Sequence, residues 1–282
     1  VTRAVQAHAI QGEQVVLPVR IREAAVASAM FAVPAAAAQA VIAYSGLDVA
    51  EPLPGRAVCS LAFVRYTDGD LGPYHEFAVA FLVRPPGTPP PAGALGRLRG
   101  LSDVGAFIHW LPVDQEFTLE AGRTIWGFPK ELARIPMNLA GRVKRCAVQF
   151  GGRTAIELSV RPGLPVPGTT RTPKVDAYSC LDGVTRRTPW TVAPSDVRLR
   201  LGGAKVVLGD HPVAQELRGL GRFFWVLFVV SGVQVRASQG GGGRQPGVGC
   251  RPTTTRRGAC LGAAQQNVDP KEAPYASTGR AR

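Results

Sequence analysis

The 282-residue sequence is short of lysine, of cysteine pairs and of long apolar runs, and each shortage removes a class of protein. Its five cysteines (Cys59, Cys146, Cys180, Cys250 and Cys260) are odd in number, scattered, and never spaced as C-x-x-C. That argues against a zinc site or a disulfide framework and for a reducing, cytoplasmic setting. The four histidines, His8, His75, His109 and His211, lack metal-ligand spacing, so no metal is expected. There is no G-x-x-x-x-G-K-[ST], and the glycines at 240–243 do not join a strand to a helix, so no phosphate-bearing cofactor is indicated. G-x-S-x-G is also missing. The first residues, VTRAVQAHAIQGEQ, lack the basic start and apolar stretch of a secretory signal. The longest apolar region, residues 24–44, is Ala-rich and interrupted by Ser28, Pro34 and Gln39. It falls short of the ~20 strongly apolar residues of a membrane span and is expected to be a buried helix or helix pair, broken at Pro34.

Charge is present in excess, at +13, carried by 33 Lys and Arg of which five are lysine. The basic residues are spread along the chain without aromatic interleaving, so a solvated surface with nonspecific polyanion attraction is expected, and no specific nucleic-acid partner. Several segments alternate apolar and polar residues with period two, residues 156–161 and 197–201 most clearly. Residues 15–21, 58–66, 77–83 and 106–111 are apolar throughout, as strands covered on both faces are. Turn signals at residues 68–73 and 84–93 separate them. A helix is expected over residues 211–220, where Asp210 can cap the end and Val213, Leu217 and Leu220 share a face. The fold class is therefore α+β, mainly antiparallel β with few helices. Residues 1–236 read as one domain. Residues 237–282, rich in Gly, Arg, Thr and Pro with little aliphatic content, read as a disordered basic tail.

One of the few lysines ends the segment Ile125-Trp126-Gly127-Phe128-Pro129-Lys130, behind apolar residues and a glycine. Desolvation penalises an ammonium, and a neutral amine attacks a ketone to give an iminium. For an amine to be half neutral at pH 7, its charge must be destabilised selectively by about 4 to 5 kcal/mol. From spacing alone, a snorkelling lysine at a strand end is the competing reading.

The segment Gly122-Arg123-Thr124-Ile125-Trp126-Gly127-Phe128-Pro129-Lys130 resembles the acetoacetate decarboxylase family around its Schiff-base lysine, within a similar stretch that begins near His109. Upstream, Leu71-Gly72-Pro73-Tyr74-His75-Glu76 resembles the family's Leu-Gly-x-Tyr-x-Glu element, whose glutamate faces the active site. A looser likeness runs from about residue 14 to 220 and includes Val19-Arg20-Ile21-Arg22, where the family carries an active-site arginine.

The resemblance implies an acetoacetate decarboxylase-like barrel or cone of strands. Lys130 would be the Schiff-base amine and Glu76 the proton carrier. Arg22, or else Arg20, would hold a substrate carboxylate, and Phe128 and His109 would line the pocket. It implies a lyase acting on a small β-keto or 2-oxo acid, of decarboxylase or aldolase-dehydratase type, with no metal or organic cofactor and as a homo-oligomer. The alternative is a non-catalytic barrel that keeps the pocket and binds a small apolar acid. Two positions depart from the family pattern. Glu131 stands where the decarboxylases carry a second lysine, and Leu61 where they carry a second acidic residue. Neighbours on an extended segment point oppositely, so Glu131 is expected to face away from the pocket if Lys130 faces in.

Overall fold

Strands make up most of the described chain. The computed structural model describes residues 6–249, except residue 86, residues 89–92, 94–95, 97–99, 101–103, 167–173, 222–225 and residue 242. These residues belong to one unit, Val1–Arg251; the second unit, Pro252–Arg282, lies outside the described residues. A short hairpin, β1 (Ala7–Ile10) and β2 (Glu13–Val16), precedes the long strand β3 (Val19–Pro34). Helix α1 (Ala35–Ile42), a 3-10 turn (Ala43–Ser45) and β4 (Asp48–Val49) follow. Next comes a meander of β5 (Arg56–Gly69), β6 (Tyr74–Arg84) and β7 (Gly105–Val113), then α2 (Glu116–Trp126) and β8 (Lys130–Leu132). The remaining strands are β9 (Met137–Asn138), β10 (Lys144–Phe150), β11 (Arg153–Val160), β12 (Leu164–Pro165), β13 (Lys174–Leu181), β14 (Val184–Ser195), β15 (Arg198–Arg200) and β16 (Ala204–Leu208). Helix α3 (Pro212–Gly219), β17 (Val226–Gln239) and β18 (Gly243–Gly249) complete the described chain.

The main sheet runs β17-β3-β5-β6-β7-β13-β14 and closes on itself where β14 pairs with β17, from Trp190 opposite Gln239 to Ser195 opposite Gln234. Closure removes the exposed edges that a long open sheet would carry. Its pairings are antiparallel except those that β7 makes with β13 and with β8. A second sheet, β16-β11-β10-β9, covers one outer face of this ring. Phe63, Phe77, Phe81 and Trp110 of the ring pack there with Val148, Ile156 and Leu158 in one large apolar cluster. The alternate residues of the same strands, among them Tyr66 and Ala78, face the interior of the ring. Two-sided burial of this kind explains why β5, β6 and β7 read as continuous apolar runs.

The mainly antiparallel α+β expectation agrees with this architecture, but several of its parts need correction. Residues 24–33 are strand, not helix: they form most of β3, which is paired along its length with β17 on one side and β5 on the other. Helix begins after Pro34, as α1. Alanine favours helix locally, and two flanking strands override that preference. Helix α3 lies where expected, but its cap is His211, whose ring accepts from the Val213 amide, and not Asp210. Helix α2 was not foreseen. The domain boundary expected at residue 236 falls inside β17, and residues 243–249 of the expected tail form β18, paired with β14. Backbone pairing does not require the aliphatic side chains whose scarcity suggested disorder. Cys180, on β13, is disulfide-bonded, a bond that the scattered cysteine spacing did not indicate, since separation along a sequence does not report proximity in the fold. Among the described residues, no helix is long and apolar enough to cross a membrane.

Candidate active site

The site is built outward from the end of helix α2. The helix stops because Gly127 adopts the left-handed conformation, with φ near 63°. Its amide and that of Phe128 then return to the carbonyls of Arg123 and Gly122, both at 3.0 Å. A side chain at Gly127 would also collide with Arg186, so glycine serves twice at this position. The chain then turns into β8, which pairs in parallel with β7, Lys130 lying opposite Leu111. The Arg123 guanidinium, one turn back on the helix, donates to the Lys130 carbonyl from Nε at 2.9 Å and from a terminal nitrogen at 2.6 Å. Strand pairing and this fork fix the backbone from which the Lys130 side chain departs. The aliphatic stem passes over Gly122, where a Cβ would come within 2.5 Å of Lys130 Cδ and Cε. Gly122 therefore leaves the groove through which the amine reaches the interior of the ring.

The amine ends in a cavity of about 280 Å³. Lys130 is 3% exposed and Glu76, on β6 across the intervening strand β7, is 6% exposed. Lys130 Nζ lies 3.0 Å from Glu76 Oε2 and 5.2 Å from the centre of the Tyr74 ring. The Tyr66 hydroxyl donates to the other carboxylate oxygen, Oε1, at 3.0 Å, and the Tyr66 and Tyr74 rings stack with centroids 4.2 Å apart. Burial pushes both phenols well above their usual range, and the nearby Glu76 carboxylate adds to the effect. Lys130 and Glu76 are the charged residues among the described lining; the rest, apart from Gln239, is aliphatic or aromatic. A larger groove of about 760 Å³, lined by Asp114, Arg134 and Phe150, is wide open to solvent and lies apart from Lys130.

Of the residues singled out in the sequence, Lys130, Glu76 and Phe128 meet in this cavity. Arg22 does not. It lies on the outer face of β3, half exposed, held by Asp68 at the end of β5 and Asp70 of the turn that follows. The burial alternation of Val19, Arg20, Ile21 and Arg22 turns Ile21 inward and both arginines outward. Arg20 borders a narrow crevice that shares Ile21, Tyr66, Leu71, Tyr74 and Gln239 with the cavity. His109 is buried but faces away from the cavity, between the Tyr44 hydroxyl at 2.9 Å and Glu216 at 2.8 Å. Glu131 also points elsewhere: its carboxylate accepts from Trp110 Nε1 at 2.9 Å and lies 4.0 Å from His211. The second acidic position of the family pattern, Leu61, is fully buried in the apolar cluster outside the ring. The aromatic residues Tyr66 and Trp190 escaped the sequence reading. For Tyr66 a signal existed, since it stands directly opposite Tyr74 across the β5–β6 hairpin.

Comparison with known proteins gives a consistent answer. The model of the family described as "Acetoacetate decarboxylase (ADC)" matches residues 7–233. The acetoacetate decarboxylase of Legionella pneumophila is similar in structure, with a TM-score of 0.58 at 17% identity, over 81% of this chain and 87% of that one. The enduracididine biosynthesis enzyme MppR complexed with pyruvate gives 0.57 at 18% identity, over 80% and 90%. An acetoacetate decarboxylase-like enzyme from Sphingomonas wittichii gives 0.52 at 18% identity, over 79% and 91%. No curated protein matches the chain. With the fold, the extent of the family match and the ordered Glu76 and Lys130 motifs in agreement, the chain belongs to the acetoacetate decarboxylase family.

Proposed function

We propose that this protein is a Schiff-base lyase that acts on a small β-keto or 2-oxo acid through Lys130. The observation that carries the reading is the amine itself, 3% exposed, inside an apolar cavity and 3.0 Å from the one described carboxylate of its lining. Moving one proton from Lys130 to Glu76 turns two buried charges into two neutral groups and creates a nucleophile and an acid together. The Nζ lone pair attacks the substrate ketone, the proton on Glu76 passes to the departing carbonyl oxygen, which leaves as water, and a protonated imine remains beside the Glu76 carboxylate. For a β-keto acid, the electrons of the bond to the carboxylate flow into that imine, releasing carbon dioxide and leaving an enamine. Glu76, reprotonated from solvent, then delivers that proton to the enamine carbon, and water hydrolyses the resulting imine to the ketone and the free amine, leaving its surplus proton on Glu76. For a 2-oxo acid, Glu76 instead removes the proton next to the imine, and the resulting enamine adds to an aldehyde.

Tyr66, hydrogen-bonded to Glu76 and kept protonated by its own burial, holds the carboxylate in place through this cycle. The substrate carboxylate meets the imine cation directly. Arg22 is not assigned to it, because its guanidinium is engaged outside the ring with Asp68 and Asp70. The pyruvate complex of the structural neighbour MppR supports the oxo-acid class.

Borohydride reduction in the presence of acetoacetate or pyruvate, followed by peptide mapping, tests the proposal. A reduced adduct on Lys130, lost in Lys130→Met, is the expected result. No adduct across a panel of oxo acids would leave a barrel that binds small molecules without covalent chemistry.

A further inference from the structure

We infer that the substrate carries an apolar tail, on the order of four carbons longer than acetoacetate or ending in a ring, and that the cavity selects for that tail. This rests on the Schiff-base reading above. At about 30 Å³ for each water-sized group, the methyl, ketone and methylene groups of acetoacetate and its carboxylate, counted as two, take up roughly 150 Å³. That is about half of the 280 Å³ around Lys130 and leaves space for roughly four further methylene-sized groups. Among the described residues, the walls of this space are mostly apolar. Val26, Val64, Ala78, Ile108 and Val192 are aliphatic, and Trp190 adds a ring face. A polar second reactant would have to lose its water against those walls with little to replace it, whereas a hydrocarbon tail gains by the same desolvation. Glu76, Tyr66 and Tyr74 gather polar groups around the amine, where the oxo-acid head reacts, while Gln239 and Trp190 Nε1 are the other polar groups of the described lining. Polar head and apolar remainder together describe a medium-chain or aryl-substituted β-keto acid.

The test compares acetoacetate, 3-oxohexanoate, 3-oxooctanoate and benzoylacetate as substrates of the full chain, with carbon dioxide release corrected for the spontaneous reaction. Each added methylene is expected to raise kcat/KM about fourfold, the equivalent of ~0.8 kcal/mol of burial, so that 3-oxooctanoate exceeds acetoacetate by on the order of a hundredfold. Ala78→Leu adds bulk to the wall two residues beyond Glu76 on the same face of β6, and should remove most of that preference. A parallel measurement follows quenching of Trp126 and Trp190 fluorescence by butyrate, hexanoate and octanoate, which bind without chemistry. Tighter binding of octanoate with no turnover of any oxo acid would retain the tail selection and overturn the lyase reading. Turnover of acetoacetate equal to or better than that of the longer acids, with flat fatty-acid binding, would overturn the tail selection and leave the lyase reading standing.

Discussion

Replacing Glu76 by leucine while keeping Lys130 leaves an ammonium in an apolar cavity with its carboxylate removed. Both partners are more than nine-tenths buried and 3.0 Å apart, so this is a desolvated ion pair and not a surface contact. Breaking such a pair from one side costs about 3–5 kcal/mol, because the remaining charge loses its counter-ion while water stays excluded. Lys130→Met should cost less, about 1–3 kcal/mol, since Glu76 keeps the Tyr66 hydroxyl as a donor. Combining the two substitutions replaces the pair by hydrocarbon of similar size. The double variant is then expected to be clearly more stable than Glu76→Leu alone, even though Tyr66 has lost its acceptor. Urea denaturation of the four proteins, read as a double-mutant cycle, measures the coupling directly. Additive losses, with the double variant least stable of all, would show that the two side chains do not depend on each other. The account of the cavity would then be wrong.

Three further outcomes follow from the same geometry. In a spectrophotometric titration, Tyr66 and Tyr74 should remain protonated well past the pH at which a free tyrosine ionises. Their folded-state values are raised, so the stability linked to them is complete below about pH 10 and is lost as the pH climbs above it. His109→Ala should destabilise the fold by about 1–3 kcal/mol, by leaving polar neighbours unsatisfied, with KM unchanged because the ring faces away from the cavity. Arg22→Ala should alter neither KM nor stability appreciably, since its ion pairs are exposed; a large rise in KM would return this arginine to the site.

The legible part of this protein was its family, its strand content and the meeting of Lys130 with Glu76. Lys130 and Glu76 stand in short ordered segments whose residue types are unusual for exposed chain, and the folded ring brings them together. The meander β5–β6–β7 was visible because each strand is covered on both faces and hence apolar throughout. The long strand β3 was hidden by its alanines, small enough to pack densely on either face but helix-favouring in isolation. Helix α2 was hidden for the opposite reason. It contains Gly122 and the β-branched Thr118, Thr124 and Ile125, and its first turn has no side-chain cap. Gly122 weakens the helix locally and is there for the Lys130 stem, a reason that exists only in three dimensions. Arg22 and His109 lie away from the cavity because the resemblance that suggested them marks a stretch of chain and not the face to which each side chain turns, and alternation sends adjacent side chains of a strand to opposite faces. The same alternation correctly turned Glu131 away from the cavity.

Exchange of the substrate's ketone oxygen with solvent is the most direct measure of whether the Lys130 amine adds to a carbonyl, since every imine that forms and reverts replaces that oxygen with one from water. In oxygen-18 water, the native protein should label the ketone of pyruvate faster than the uncatalysed reaction does, and Lys130→Met should reduce the rate to background. Equal labelling by the native protein and the variant, or none above background in either, would contradict the central claim.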